Sequence, residues 1–185
     1  MAALPFDPTK LSGADRARYE RMIERRKAQG APFGGPYAAL MNHPQLCEKV
    51  EDLGYYLKFE GHLSREVYQF VVLSVARSTG AEFEWIDHIE HARAAGVPEP
   101  VIDALQKSAD LTEITVPPFD LAAKVLASTL SWKNVPQDIQ DESVRRFGME
   151  GYVELVVLSG FYQMFSAINQ GFDVALPAGV KAPFR

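Results

Sequence analysis

The sequence predicts an all-α fold, on three observations. Segments rich in strong helix formers recur along the 185 residues, and glycine, proline or capping residues bound most of them. The runs of β-branched residues that a strand would need are short and lie inside helical periodicity. The composition, 47% hydrophobic and 23% charged, is that of a chain that folds around a core. About eight helices are therefore expected.

In the first half of the chain, the predicted helices alternate with segments that contain proline or glycine. Residues 1–13 are expected to form an irregular arm, and Gly30 is a typical C-cap for the helix before it. Ser64 is a favourable N-cap for a very apolar helix that ends at Gly80. The helices expected in this half cover residues 14–29, 44–61 and 65–79, and a short turn of helix is expected over 37–41.

In the second half, Gly96 ends one predicted helix, and Pro98 and Pro100 open the next, since proline is tolerated in a first turn. The expected helices cover residues 81–95, 98–108, 119–133, 136–147 and 151–169. The predicted organisation is an arm and helix over 1–35, a single helical domain over 36–177 and a tail over 178–185.

One short motif occurs twice. Phe70–Ser74 matches Leu155–Ser159 at a constant offset, and each copy opens an apolar helix. Chance explains a match of five residues, and so does a duplicated helical unit whose two copies pack in the core. In this alignment Glu154 takes the place of Gln69, and an acid there is either at an exposed edge or buried with a partner.

Several classes of protein are disfavoured by composition. The net charge of −5 does not favour nonspecific nucleic-acid binding. Cys47 is the one cysteine, so neither an intramolecular disulfide nor a CxxC pair can form. The N-terminal residues lack the pattern of a secretory signal, and the longest apolar runs are shorter than a membrane span. We therefore expect a cytoplasmic protein without a nucleic-acid or membrane partner.

The segment EFEWIDHIEH carries a polar stripe, formed by Glu84, Asp87, His88 and His91. Their spacing of i, i+3, i+4 and i+7 places all four within about 100° of one helix face. Three interpretations remain open: a solvent-exposed face, a metal site and an acid–base site. A metal site usually takes further ligands from a second helix, and its ligands follow a recognisable spacing in the sequence. No such motif is present, so no metal or cofactor is predicted.

A longer segment, residues 77–105, reads RSTGAEFEWIDHIEHARAAGVPEPVIDAL. It resembles the central signature of the carboxymuconolactone decarboxylase and alkylhydroperoxidase-D-like superfamily. That signature begins with a helix that ends in Thr-Gly. Two positions separated by two residues follow, then a histidine four residues later and a glycine eight residues after the histidine. The positions that match it are Thr79, Gly80, Ala81, Glu84, His88 and Gly96. The resemblance covers roughly residues 36–177 and implies the helical bundle of that superfamily.

The departures from the signature concern the thiol chemistry of the peroxidase branch. That branch carries CxxC where this chain has Ala81 and Glu84, and a glutamate where it has Gln69. A peroxidatic reaction needs a thiolate and a resolving partner, so dithiol peroxidase activity is not expected.

The resemblance instead implies a cofactor-free lyase that removes carbon dioxide from a small carboxylated lactone-like compound, as in aromatic-compound catabolism in bacteria. Such a reaction needs a cation for carboxylates and a proton donor. His88 is the predicted acid–base group, with Glu84 fixing its tautomer and raising its pKa, and His91 is a second candidate. The predicted substrate-binding residues are Arg77, Asp87 and Tyr162.

The alternative is a non-catalytic or ligand-binding relative that has lost the relay together with its cysteines. The burial of the polar stripe discriminates between the lyase and this alternative, because a catalytic stripe would line a sheltered pocket. Arg77 is also able to pair with Glu84, and Tyr162 to sit in the core with its hydroxyl satisfied. The resemblance and the aromatic, apolar helices further imply a homo-oligomer built from dimers, in which Trp85 packs between subunits or helices.

Overall fold

The computed structural model describes residues 6–28 and 33–184, and within these ranges every regular element is helical. The prediction of an all-α fold is confirmed. The predicted cap at Gly30 lies outside the described residues. The helices are α1 (Gly13–Ala28), α2 (Gly35–Leu40), α3 (Pro44–Tyr55), α4 (Arg65–Thr79), α5 (Glu82–Ala95), α6 (Glu99–Lys107), α7 (Phe119–Thr129) and α8 (Gln137–Gly171).

The helix boundaries around the polar stripe are set by glycine. Gly80 and Gly96 end α4 and α5 in the left-handed conformation, with φ of 68° and 94°. A residue with a side chain is strained there, and glycine is not. Ser64 has the extended backbone of an N-cap, but its side chain makes no capping hydrogen bond. The sharp turn at Gly80 brings α5 back along α4.

The helix that begins at Pro44 extends to Glu60, as expected, but its last turn differs. After Tyr55 the backbone continues as a single π turn, Tyr56–Glu60. Single π turns are rare in proteins, and those that occur are often found at functional sites. In this fold the π turn carries Lys58, whose position is described below.

The last two predicted helices form one element that is interrupted at Gly148. This glycine has φ of 76° and ψ of 168°, which breaks α8 into two segments. The prediction of two helices, 136–147 and 151–169, is therefore close to the observed arrangement. The second segment supplies most of the buried residues of α8.

The core is built around α4. Every residue from Val67 to Ala76 is buried, which explains why the sequence of α4 is apolar on all sides. Helices α5, α7 and α8 pack directly against it, and α1 packs on α3 at the edge. The polar stripe of α5 therefore meets α4 and α8 at a three-helix junction.

Among the described residues, α8 is the one helix with the length and apolarity of a membrane span. Half of its apolar window is buried within the fold, as in the core helix of a soluble protein. A water-soluble protein is consistent with this arrangement.

Candidate functional site

A cavity of about 220 Å³ lies beside the three-helix junction. Residues of α1, α2, α3, the π turn, α4, α5 and α8 line it. Much of its wall is aromatic: Tyr37, Tyr55, Phe59, Phe83, Phe161 and Phe165. All four residues of the polar stripe reach this cavity, which is the pocket arrangement expected of a site rather than of a purely solvated face.

Glu84 is the buried acid of the cavity wall and is only 3% exposed. Asn169 of α8 donates a hydrogen bond from Nδ2 to Oε1 of Glu84, at 2.8 Å. Burial raises the pKa of Glu84 to about 7, because a charged carboxylate loses its hydration there. The hydrogen bond from Asn169 lowers the pKa, and the charge of Asp87 raises it further. Glu84 thus exchanges its proton near neutral pH.

His88 is also buried, at 5% exposure, and its ring is held from both sides. Nδ1 lies 2.9 Å from Oε1 of Gln69, and Nε2 lies 3.3 Å from the hydroxyl of Tyr162. Since the amide oxygen of Gln69 only accepts, His88 carries its proton on Nδ1 and accepts from Tyr162 at Nε2. This tautomer follows from the hydrogen-bond network.

The expected effect of Glu84 on His88 was wrong in two respects. Gln69 holds Nδ1 and fixes the tautomer, whereas Glu84 lies 3.9 Å from Nε2. The pKa of His88 is well below its ordinary value, because burial and the positive charges of Lys58, His91 and Arg65 disfavour the imidazolium. His88 is therefore a neutral, fixed ring near pH 7.

Tyr162 belongs to a buried pair of hydroxyls. Its Oη lies 2.7 Å from that of Tyr68, and both side chains line the cavity. With Tyr162 donating to His88, Tyr68 donates to Tyr162, so a single orientation satisfies the chain. Burial raises the pKa of Tyr68 to about 12 and that of Tyr162 well above its usual range, so both remain protonated.

Asp87 and His91 occupy the outer part of the stripe and are exposed to solvent. Oδ2 of Asp87 lies 3.8 Å from Nε2 of His88, and the rings of His88 and His91 are 6.0 Å apart between centroids. Within the described residues, no group of three histidine, cysteine or acidic side chains has the arrangement of a metal site. The stripe thus divides into a buried proton-carrying half and an exposed half at the cavity mouth.

Arg77 is not among the residues that line the cavity. Its guanidinium lies over the ring of Phe184 in the C-terminal tail, 4.8 Å from the ring centroid. Phe184 also packs edge-on against Trp85, which is buried in the core of the chain. The position of Arg77 on α4 directs its side chain toward the tail, so the expected substrate contact is not supported.

Two other cations line the cavity in its place, Lys58 of the π turn and Arg26 of α1. Neither could be found from sequence spacing, because both come from elements remote from the stripe. Gln69 and Asn169 also went unassigned as site residues. Gln69 stands out in the sequence, however, as an amide within the apolar run of α4.

Glu154 is buried with a partner, which selects one of the two alternatives for an acid at this position. It accepts hydrogen bonds from the backbone N–H groups of His62 and Leu63, at 2.7 and 3.1 Å, and from the ring of His62. These bonds hold its pKa below the usual value against the opposing effect of burial. Glu154 therefore fixes the loop before α4 and lies outside the cavity.

Comparison of the chain with protein-family models gives no match. The curated proteins and the solved structures likewise contain no match to it. The assignment of a function therefore depends on the geometry and chemistry of the cavity.

Proposed function

We propose that the protein is a cofactor-free acid–base enzyme of the lyase type, acting on a small carboxylated, lactone-like compound. The observation that carries the proposal is Glu84, a buried acid in the wall of a cavity, with a pKa of about 7. Catalytic acids and bases work best when their pKa lies near the working pH. The resemblance of residues 77–105 to the decarboxylase signature supports the same reaction class.

In the proposed reaction, the bond between a carbon and its carboxylate breaks, and carbon dioxide leaves. The electron pair remains on the carbon, next to the lactone carbonyl. Glu84 in its protonated form then donates a proton to that carbon, and water restores the proton on Glu84. The neutral ring of His88, fixed by Gln69, keeps Tyr162 oriented within the cavity.

Arg26 is the proposed binding residue for a carboxylate that the product retains. It lines the cavity, and its guanidinium stacks on Tyr37 at 4.3 Å from the ring centroid. A guanidinium binds a carboxylate through two parallel hydrogen bonds, which also sets the orientation of the bound molecule. The aromatic walls exclude water from the remainder of the ligand.

The volume of the cavity limits the substrate to a small molecule. Its volume of about 220 Å³ is below the roughly 300–1,000 Å³ typical of pockets that hold drug-sized ligands. The test is a panel of small carboxylated lactones and oxo acids, incubated with the protein in D₂O and followed by proton NMR. Loss of carbon dioxide with deuterium at the product carbon is expected for at least one member.

A ligand-binding protein without turnover is the second candidate. The observation in its favour is that the hydroxyl of Tyr162 and Nε2 of His88 already satisfy each other, while Asp87 and His91 are exposed. Binding of panel members, detected as chemical-shift changes, without any exchange or decarboxylation would support this candidate and contradict the lyase.

We further propose that the protein is cytoplasmic and forms a dimer through α8. Its outward face carries an exposed apolar stripe of Met149, Val153, Val156 and Val157, all on one side of the helix. An apolar helix face of this length is typical of an interface.

Replacement of Val157 by glutamate is expected to convert the dimer to a monomer, because it places a charge in the apolar interface. Light scattering coupled to size-exclusion chromatography measures the mass. Val116→Glu is the matched control, since Val116 is equally exposed but lies outside α8. A monomeric mass for the unsubstituted protein would contradict the proposal.

A further inference from the structure

In the part of the chain that the structure describes, Lys58 is the one lysine that lines the cavity. It lies in the middle of the π turn, and its side chain is partly buried. The stripe residues Glu84, Asp87 and His88 of α5 line the same cavity. A lysine in this position faces any molecule that enters the cavity.

Within residues 6–28 and 33–184, no ion pair neutralises the charge of Lys58. None of the salt bridges among the described residues includes Lys58, and its Nζ lies 5.4 Å from the centroid of the Phe59 ring. Arg65 donates a hydrogen bond to the carbonyl oxygen of Lys58, which keeps a second cation close by. A partly buried, unpaired ammonium costs free energy, and such groups cluster at functional sites.

This environment favours the neutral amine more than a surface does. Burial lowers the pKa of Lys58, the positive charges of Arg65 and Arg26 lower it further, and Asp87 opposes them. Desolvation in a cavity and a neighbouring cation are the two means by which proteins make a lysine amine nucleophilic. Lys58 has both.

We propose that Lys58 is a nucleophile that forms an imine with the carbonyl group of a small aldehyde or ketone bound in the cavity. The amine nitrogen attacks the carbonyl carbon and gives up one proton, while the carbonyl oxygen takes up a proton to give a neutral carbinolamine. A second proton on the hydroxyl allows it to leave as water as the C=N bond forms, and the iminium nitrogen then gives up its remaining proton to leave the imine. Glu84 and Asp87, both of which line the same cavity, are the proton donors and acceptors for these transfers.

This inference is independent of the proposed lyase reaction, because imine formation needs neither a lactone nor the loss of carbon dioxide. It adds a carbonyl compound to the ligands of the cavity. Glyoxylate, an aldehyde that carries a carboxylate, is small enough for a cavity of this volume and matches the cation Arg26.

The test traps the imine. The intact protein is incubated at pH 7 with glyoxylate and sodium cyanoborohydride, which reduces an imine to a stable secondary amine, and peptide mass spectrometry locates the adducts. Lys58 is expected to be modified faster than the exposed Lys124 on α7, because desolvation and the neighbouring cation favour the neutral amine of Lys58.

Two variants complete the experiment. Lys58→Arg keeps the positive charge and is expected to lose the fast-reacting site, while Lys124→Arg is expected to keep it; circular dichroism verifies that both variants are folded. Modification of Lys58 no faster than Lys124 would overturn the proposal, as would a fast-reacting site that persists in Lys58→Arg. Since trapping does not require turnover, this outcome is separable from failure of the lyase panel.

Discussion

Replacement of Glu84 by glutamine is expected to reduce the turnover of a substrate by about 10²–10⁴-fold, the usual contribution of a positioned acid or base. Glutamine keeps the size of the side chain and can still accept the hydrogen bond from Asn169 through its amide oxygen. It has no proton to transfer. Steady-state rates of the variant and the unsubstituted protein, on the same member of the lactone panel, measure the effect.

Glu113→Gln is the control for this variant, because Glu113 is an exposed carboxylate in the loop before α7. It is expected to leave turnover unchanged. His88→Gln is also expected to lower turnover, since it removes the ring that orients Tyr162 in the cavity wall. Turnover by Glu84→Gln equal to that of the Glu113 control would remove Glu84 from the mechanism.

The Glu84→Gln variant is expected to be more stable than the unsubstituted protein at pH 8. In the folded chain the pKa of Glu84 is about 7, against 4.5 for an ordinary glutamate. Between these values the unfolded chain ionises Glu84 and the folded chain does not, so stability falls as the pH rises from about 4.5 to 7 and stays lower above 7. Glutamine does not titrate and avoids this loss.

The expected gain for Glu84→Gln is about 1–3 kcal/mol in the free energy of unfolding at pH 8. The gain vanishes near pH 4, where Glu84 is protonated in the folded and in the unfolded chain. Urea denaturation at the two pH values measures it. The depressed pKa of His88 acts in the opposite direction, destabilising the fold as the pH falls below about 6.5, but it is common to both proteins and cancels. A Glu84→Gln variant that is less stable than the unsubstituted protein at pH 8 would contradict the claim that ionised Glu84 destabilises the fold.

The helix pattern could be predicted from the sequence because its signals are local. Gly80 and Gly96 end their helices through backbone conformations that depend on the residue itself. The break at Gly148 also falls between two segments that the sequence separates. By contrast, the π turn at Tyr56–Glu60 has no clear local signal.

The site could be predicted in part. The spacing of the stripe identified one helix face, and the cavity lies against that face. The boundary between core and solvent runs through it, with Glu84 and His88 inside and Asp87 and His91 outside, and only packing against α4 and α8 determines that boundary. The lowering of the His88 pKa follows from the same burial, so it could not be derived from the acidic neighbours of His88 in the sequence.

The cations depend on tertiary structure alone. Arg77 is close to the stripe in sequence, yet its side chain stacks on Phe184 of the tail. Lys58 and Arg26 are distant in sequence, yet the packing of α1 on α3 brings both to the cavity.

A carbon-13 NMR titration of the Glu84 carboxyl group tests most directly whether a proton-exchanging acid is present in the cavity. Protein labelled with carbon-13 at the glutamate side-chain carboxyl is titrated from pH 3 to 9, and subtraction of the Glu84→Gln spectra identifies the signal. A midpoint near 7 is the expected result. A midpoint near 4.5, the value of an exposed glutamate, would mean that Glu84 is ionised at neutral pH and holds no proton to donate.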